Sequence, residues 1–190
     1  MPISVNKWAL CRPEKGEKPF KSKRVPSIVG RRCSLLSHLA LDVALELFED
    51  SDVDFAVFAS RHGEVNRTIK LLELLAEGEE LSPTAFAQSV HNTAAGLCSV
   101  IRKSQTKMSS IAAGAETFPM ALVEAEAYLK SFSNHKVMLI YFDQELPEVY
   151  QNSVAEISQN IALGLVLEHS SEGKPLPKTE KLEEFIQELG

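Results

Sequence analysis

The histidines and cysteines are the first residues that could carry chemistry, and their spacing predicts no metal or disulfide site. The chain has five histidines, which are His38, His62, His91, His135 and His169. They show no HxxH, HxH or HExxH spacing, so no metal site is predicted. The cysteines, which are Cys11, Cys33 and Cys98, are odd in number and have no CxxC spacing. This argues against a disulfide framework or zinc knuckle and favours a reduced compartment.

Two turns could present a catalytic group. Gly114-Ala115-Glu116 lies between a predicted strand and a predicted helix, where α/β enzymes often place a nucleophile. Ala115 occupies its apex, and a methyl group cannot attack a substrate. Glu116 and Thr117 remain as alternatives, although Thr117 also suits a helix N-cap. The second turn, 60–63 (Ser-Arg-His-Gly), is interpreted as a plain strand-to-helix connection.

Alternating strands and helices must position these turns. Apolar residues recur at helical spacing over 34–49, 64–77, 92–103, 117–132 and 179–189. Short apolar runs predict strands over 54–60, 107–113, 136–142 and 161–169. This alternation predicts an α/β fold in which helices cover a mixed, mostly parallel sheet.

Composition and charge exclude several classes. The chain has 190 residues, of which 44% are hydrophobic, which fits one domain or at most two small ones. The net charge of −6 argues against a nucleic-acid-binding protein. No apolar stretch is long enough for a membrane span, and no signal peptide is recognisable. We therefore expect a cytoplasmic protein.

Two segments suggest partners. Residues 12–32 contain eight basic and two acidic residues and read as a basic loop or arm, which either attracts an acidic partner or is simply solvated. After Pro175 and Pro177, the 171–190 segment carries a predicted amphipathic helix. Its apolar side chains are Leu182, Phe185, Ile186 and Leu189. Such a helix either packs on its own domain or clasps a partner.

The order of motifs resembles the N-terminal half of a β-ketoacyl synthase. The segment 82–116 resembles the approach to the family's catalytic cysteine, through Ser82-Pro83, Asn92-Thr93-Ala94-Ala95-Gly96 and the strand and turn at 108–115. The basic opening at 31–36, the strand at 136–140 and Gly164-Leu165-Val166-Leu167-Glu168 resemble further family segments. The resemblance covers roughly 1–170 as a single domain and implies a thiolase-like fold, as one half of a duplicated architecture.

Two departures from the family pattern shape the expected function. Ala115 stands at the nucleophile position, followed by Glu116, and alanine cannot form the acyl thioester. The family's second half, which supplies two histidines, has no counterpart here. The pattern therefore resembles a shortened, noncatalytic chain-length-factor-like subunit of a type II polyketide or fatty-acid system, of the aryl polyene type, with no cofactor.

The resemblance also implies partners and their contact residues. A catalytic ketosynthase would pair along the strand residues Met108, Ser109, Ser110, Ile111 and Ala112. Residues facing the partner and its acyl channel would be Thr84, Ala85, Phe86, Ser89 and Glu116, unless the 82–91 side chains only fill the chain's own core. An acidic acyl carrier protein would meet a patch of Lys21, Lys23, Arg24, Arg31 and Arg32.

Two hypotheses from other classes remain open at this stage. The first is a self-sufficient acyltransferase or hydrolase that uses Glu116 or Thr117. The second is an unrelated soluble α/β interaction protein that needs no partner.

Overall fold

A computed structural model describes residues 1–13, 20–49, 51–151, 159–179 and 181–190. The strands are β1 (Ile3–Cys11), β2 (Phe55–Ala59), β3 (Lys107–Ile111), β4 (Lys136–Asp143), β5 (Ile161–His169) and β6 (Lys174–Pro175). The helices are α1 (Ser27–Gly30), α2 (Leu35–Glu49), α3 (Val65–Ala76), α4 (Pro83–Ala87), α5 (Thr93–Arg102), α6 (Thr117–Ser131), α7 (Glu148–Gln151) and α8 (Leu182–Leu189). Every predicted strand and long helix is confirmed, with ends that shift by up to three residues.

The described strands form one sheet in the order β3-β2-β4-β5-β1-β6. The pairs β2–β3 and β2–β4 are parallel, whereas β4–β5, β5–β1 and β1–β6 are antiparallel. The sheet is therefore mixed, as predicted. Four of the six strands point the same way, but parallel pairing is confined to β3-β2-β4. The carboxyl ends of these three strands lie at one edge of the sheet, which is where α/β folds place their sites.

Strand β1 is not predicted from the sequence, because a bulge breaks its alternation. Val5 pairs with Leu167 and Lys7 pairs with Val166, so Asn6 is the extra residue. Val5, before the bulge, packs in the apolar core on one face of the sheet. Ala9, after the bulge, packs in the apolar core on the other face. The extra residue reverses which positions face which side, and no continuous period of two remains to be recognised.

Two apolar cores cover the two faces of the sheet. Helices α2 and α5 pack on one face, and α6 and α8 pack on the other. Helix α2 packs closely on β5 at Gly164, where an added Cβ would lie 2.6 Å from Cδ1 of Leu47. Glycine at this position leaves room for the α2 side chains to settle onto the sheet.

Candidate functional site

The turn after β3 is built around Thr117. Gly114 adopts φ +58°, and residues Gly114–Glu116 form one turn of 3₁₀-helix. The buried Thr117 hydroxyl accepts a hydrogen bond from the Ala113 amide (2.9 Å) and donates one to the Gly114 carbonyl (2.8 Å). Thr117 is the first residue of α6 rather than its N-cap, and its hydroxyl fastens the turn, so it is not presented as a nucleophile.

A cavity of about 510 Å³ opens beside this turn. Ala115 and Glu116 form one wall, and residues at the ends of β4 and α8 form the others. The lining residues are Arg61, Ala115, Glu116, Phe118, Pro119, Tyr141, Asp143, Gln159, Ile161, Lys181, Leu182, Glu183 and Glu184. In the described part of the chain, no cysteine, serine or threonine side chain lines this cavity. The site offers carboxylates and cations for binding but no thiol or aliphatic hydroxyl for attack.

Asp143 is a site residue that sequence analysis did not identify. It ends β4 and is 7% exposed. Its Oδ1 accepts hydrogen bonds from the Ser60 hydroxyl and the Arg61 amide, both at 3.0 Å, and its Oδ2 accepts one from the Tyr141 hydroxyl at 2.8 Å. Burial raises the pKa of the Asp143 carboxyl, and the hydrogen bonds from Tyr141, Ser60 and Arg61 oppose that rise.

The turn after β2 connects the cavity to the 82–91 segment. Ser60 donates to Asp143 and accepts a hydrogen bond from the Gly63 amide at 3.0 Å. The His91 ring lies against Gly63, where an added Cβ would be 2.8 Å from Cδ2 of His91. The interpretation of 60–63 as a strand-to-helix connection is correct, and the turn has the further role of holding Asp143.

The proposed channel residues lie on the short helix α4 and just after it. Ser82 caps α4 by accepting a hydrogen bond from the Ala85 amide at 3.4 Å. Thr84 is exposed and Phe86 is 63% exposed, while Ala85 and Ser89 are half-buried. The alternative that these side chains only fill the chain's own core is wrong for Thr84 and Phe86. Glu116 lines the cavity, whereas none of the four lines it, so the structure does not bring Glu116 into one pocket with them.

The strand expected to pair with a partner lies at an edge of the sheet. Among the described strands, β3 is bonded only to β2, and its Lys107 and Ser110 side chains are exposed. Helices α5 and α6 pack beside this strand, and they carry the exposed apolar side chains of Val100 on α5 and of Met120 and Val123 on α6. Met108 packs against the α2 core, and Ala112 is exposed just beyond the strand. An open edge beside exposed apolar groups is a surface that commonly needs a cover.

The basic segment is partly neutralised within the chain. Arg24 reaches three carboxylates of α2, at 3.4 Å from Asp42, 3.0 Å from Glu46 and 3.6 Å from Glu49. Arg12 pairs with Glu183 of α8 at 2.8 Å. The exposed cations that remain are Lys21, Lys23, Arg31 and Arg32. Lys15 and Lys18, also part of the predicted basic segment, lie outside the described residues.

Helix α8 packs on its own chain. Phe185 is fully buried, and its ring meets that of Phe118 at 5.0 Å, edge to face. Leu189 is fully buried as well, and Leu182 and Ile186 pack partly on the same core. The apolar face of α8 therefore serves the chain's own core, which was one of the two expectations for it.

Metal-binding clusters and membrane-spanning helices are both absent from the described residues. No group of three or more histidine, cysteine, aspartate or glutamate side chains among them is placed to hold a metal ion. No helix in the described ranges combines the length and the apolar character that crossing a membrane requires.

Residues 6–185 match the family model described as the β-ketoacyl synthase N-terminal domain. A chain of the ketosynthase (ApeO) in complex with its chain length factor (ApeC) from Xenorhabdus doucetiae is similar in structure, with a TM-score of 0.80. It is 29% identical, and the match covers 90% of this chain and 81% of that one. No curated protein sequence matches the chain.

Two more distant structures share the fold. The ishigamide ketosynthase/chain length factor has a TM-score of 0.69 at 12% identity, with 93% of this chain and 64% of that one covered. A β-ketoacyl synthase from Burkholderia phymatum STM815 has a TM-score of 0.56 at 16% identity, with 80% and 46% covered. The chain thus spans less than two thirds of the length of either. These similarities confirm the predicted ketosynthase-like α/β fold.

Proposed function

Because the chain belongs to the β-ketoacyl synthase N-terminal domain family, we propose that it is a noncatalytic, chain-length-factor-like subunit of a ketosynthase complex. The observation that carries this proposal is Ala115 at the apex of the turn after β3. The fold retains the turn, the helix behind it and the adjoining cavity, but the residue at the apex cannot hold an acyl group. A catalytic partner would supply the cysteine that Ala115 replaces.

The similarity to a ketosynthase–chain length factor complex supports the same proposal. The match covers 90% of this chain and 81% of the matched chain of that complex. Strand β3 lies at an edge of the described sheet, and the apolar side chains of Val100, Met120 and Val123 are exposed. Pairing of β3 with a ketosynthase strand would continue the sheet across the two chains and cover those side chains.

The 82–91 segment supports a role in setting product length. Phe86 and Thr84 protrude from the chain beside α3, whose Leu72 and Leu75 are exposed as well. In the complex, this surface would contact the ketosynthase, and Ala85, Phe86 and Ser89 would border its acyl channel. A larger side chain there would shorten the channel by occupying space that the growing chain needs.

The same proposal assigns a contact surface for the carrier protein, a product class and a cellular compartment. We assign Lys21, Lys23, Arg31 and Arg32 to the encounter with an acidic acyl carrier protein, and Arg24 mainly to holding their loop on α2. The product class is a polyene or fatty-acyl chain of the aryl polyene type, made in the cytoplasm.

Co-expression with the ketosynthase encoded next to it tests the proposal, with size-exclusion chromatography and light scattering as the readout. We expect a stable one-to-one complex. When this chain is expressed alone, we expect it to be insoluble or aggregated. A monodisperse monomer that does not bind the ketosynthase would overturn the proposal. In that case, acyl-thioester hydrolysis by the isolated chain, with Glu116→Ala as the control, would test the enzymatic alternative.

A further inference from the structure

A second cavity, of about 530 Å³, lies between the loop that follows β1, helix α1 and helix α2. It shares no lining residue with the cavity beside Ala115. Its lining residues are Lys21, Ser22, Lys23, Arg24, Val25, Pro26, Ser27, Gly30, Arg31 and His38. Among the described residues, four cations and no carboxylate form its walls, so the cavity suits an anion.

The loop of this cavity is held in place by Arg24. Its guanidinium lies 3.0 Å from Glu46, and its backbone amide donates to the Ser22 hydroxyl, which in turn donates to Asp42 at 2.6 Å. The nearby carboxylates of α2 are thus engaged by Arg24 and Ser22. The cations on the rest of the wall are not neutralised by these acids.

Three cations around the cavity stay available. The side chains of Lys21 and Lys23 are exposed and form no ion pair with any described residue. Arg31 donates from Nε to the Ser27 carbonyl at 3.3 Å, which leaves its terminal nitrogens free of other described groups. Three cations on one concave surface provide several charge-assisted donors to a tetrahedral oxyanion.

A buried histidine completes the wall. His38 is 5% exposed, and its Nε2 lies 3.0 Å from the Gly30 carbonyl oxygen. Because a carbonyl only accepts, Nε2 carries a proton, and Nδ1 is the remaining ring nitrogen. Nδ1 is buried and has no hydrogen-bond partner among the described residues. Nδ1 therefore carries a lone pair that only accepts, and burial lowers the pKa of His38, so the ring bounds the cavity while the lysine and arginine side chains are the donors to an anion.

We propose that this cavity is a binding site for a phosphate group, whose oxygens are held by Lys21, Lys23 and Arg31 beside the His38 ring. The site does not depend on the pairing proposed above. The phosphate could belong to a free phosphate ester or to a phosphate-bearing arm on a carrier protein, and the chemistry of recognition is the same. In the second case the site would add to the proposed function, because this chain would bind the phosphate-bearing arm of the carrier protein as well as its acidic surface.

The test uses the full chain, or its complex if the two chains purify together. Inorganic phosphate is titrated and followed by ³¹P NMR, with chloride at matched ionic strength as the blank. Saturable binding is expected, and Lys21→Gln and Arg31→Gln should each weaken it by about twofold to fivefold, as exposed charge pairs do. Lys130→Gln is the matched control, because Lys130 lies on α6 and pairs with Glu126. Absence of saturation, or equal weakening by the control, would overturn the proposal.

A competition arm identifies the source of the phosphate. Carrier protein with and without its phosphate-bearing arm is added to phosphate-loaded protein. If only the carrier protein that bears the arm displaces the bound phosphate, the carrier is the source. If neither form of the carrier displaces it, the source is a free phosphate ester. Displacement by both forms to the same degree would contradict a phosphate-specific site. Phosphate binding is measured without reference to complex formation, so its failure is distinct from failure of ketosynthase pairing.

Discussion

The Nε2 atom of His91 lies 2.8 Å from the carbonyl oxygen of Ser60. Through this contact, the 82–91 segment rests on the turn after β2, and the Ser60 side chain continues the connection to Asp143. The surface proposed to face the acyl channel is therefore tied to the cavity beside Ala115, although no residue of the segment lines that cavity.

Replacing His91 should weaken the fold around the turn. His91→Phe keeps a ring but removes the N–H, so the Ser60 carbonyl loses its partner, at a cost of about 1–3 kcal/mol in unfolding free energy. Urea denaturation measures this. His169→Phe is the matched control, because His169 also bonds a backbone carbonyl, that of Met1, but in an exposed position. Equal losses in both variants would contradict a special role for the His91 contact.

Gly164→Ala should destabilise the chain, because the new methyl would lie 2.6 Å from Cδ1 of Leu47. Overpacking of this kind typically costs about 1–3 kcal/mol. Gly96→Ala is the paired variant, since an added Cβ at this helical position meets nothing within 4 Å. It should be neutral or stabilise by up to about 1 kcal/mol. Thermal or urea unfolding of the two variants compares them, and a tolerated Gly164→Ala would contradict the close packing of α2 on β5.

The Asp143 carboxyl should give stability a measurable pH dependence. Its folded-state pKa is raised by burial, so the folded protein holds this proton more tightly than the unfolded chain does. The associated stabilisation is complete below the ordinary aspartate pKa of about 3.9 and is lost as pH rises through the raised value. The difference in unfolding free energy between wild type and Asp143→Asn should therefore change across that window. A flat difference for Asp143→Asn would contradict the assignment.

Enlarging the half-buried side chains of the 82–91 segment should shorten the product. Ala85→Phe or Ser89→Phe would fill space in the proposed channel, while the β3 edge is untouched and the complex still forms. Mass spectrometry of carrier-bound products from the reconstituted complex measures chain length. Ser171→Phe is the control, because Ser171 is exposed and follows β5 at the opposite end of the sheet. Unchanged products from both channel variants would refute the channel assignment.

Blocking the β3 edge should prevent pairing without unfolding the chain. The Ile111 carbonyl accepts from the Ser60 amide, so the Ile111 backbone faces β2 and the Ser110 backbone faces the open side. Ser110→Pro removes that outward N–H and obstructs a new strand, and should weaken the complex by about tenfold or more. Ser110→Ala keeps the N–H and should bind normally. Light scattering on co-expressed chains separates the two, and a complex that survives Ser110→Pro would show that pairing uses another surface.

The regular spacing of apolar residues predicts most helices and strands of the fold. Elements with irregular spacing are not recognisable from the sequence. Long helices such as α2 and buried strands such as β4 have unbroken periods, so their positions were readable from apolar spacing. Strand β1 was missed because the bulge at Asn6 reverses its alternation. The antiparallel β4–β5 pair had a weak signal, since the sequence predicts no long crossover helix between 142 and 161, and a parallel neighbour needs one.

Site residues were harder to predict than elements. The place of Ala115 in the motif order predicts that it lies in the turn after β3, and the structure has a turn at Gly114–Glu116. Asp143 was missed because it directly follows an apolar strand, and nothing in the sequence indicates that Ser60 and Tyr141 both reach it. The neutralisation of Arg24 had a signal, because Asp42, Glu46 and Glu49 fall at i, i+4 and i+7 of α2 and so share one face. Only the fold shows that this face meets the basic loop.

The two ends of the sheet differ in a way that limits how many chains can join. At one end, β6 is a two-residue strand in which Pro175, opposite Ser4, has no N–H to offer an incoming strand. At the other end, β3 is five residues long and open. In the described sheet, a strand of another chain can therefore be added at the β3 edge only, and once that edge is paired the β6 end offers no second one. A chain with one open sheet edge forms a closed two-chain complex and not a fibre. The β3 edge can therefore bind a partner strand without leading to polymerisation.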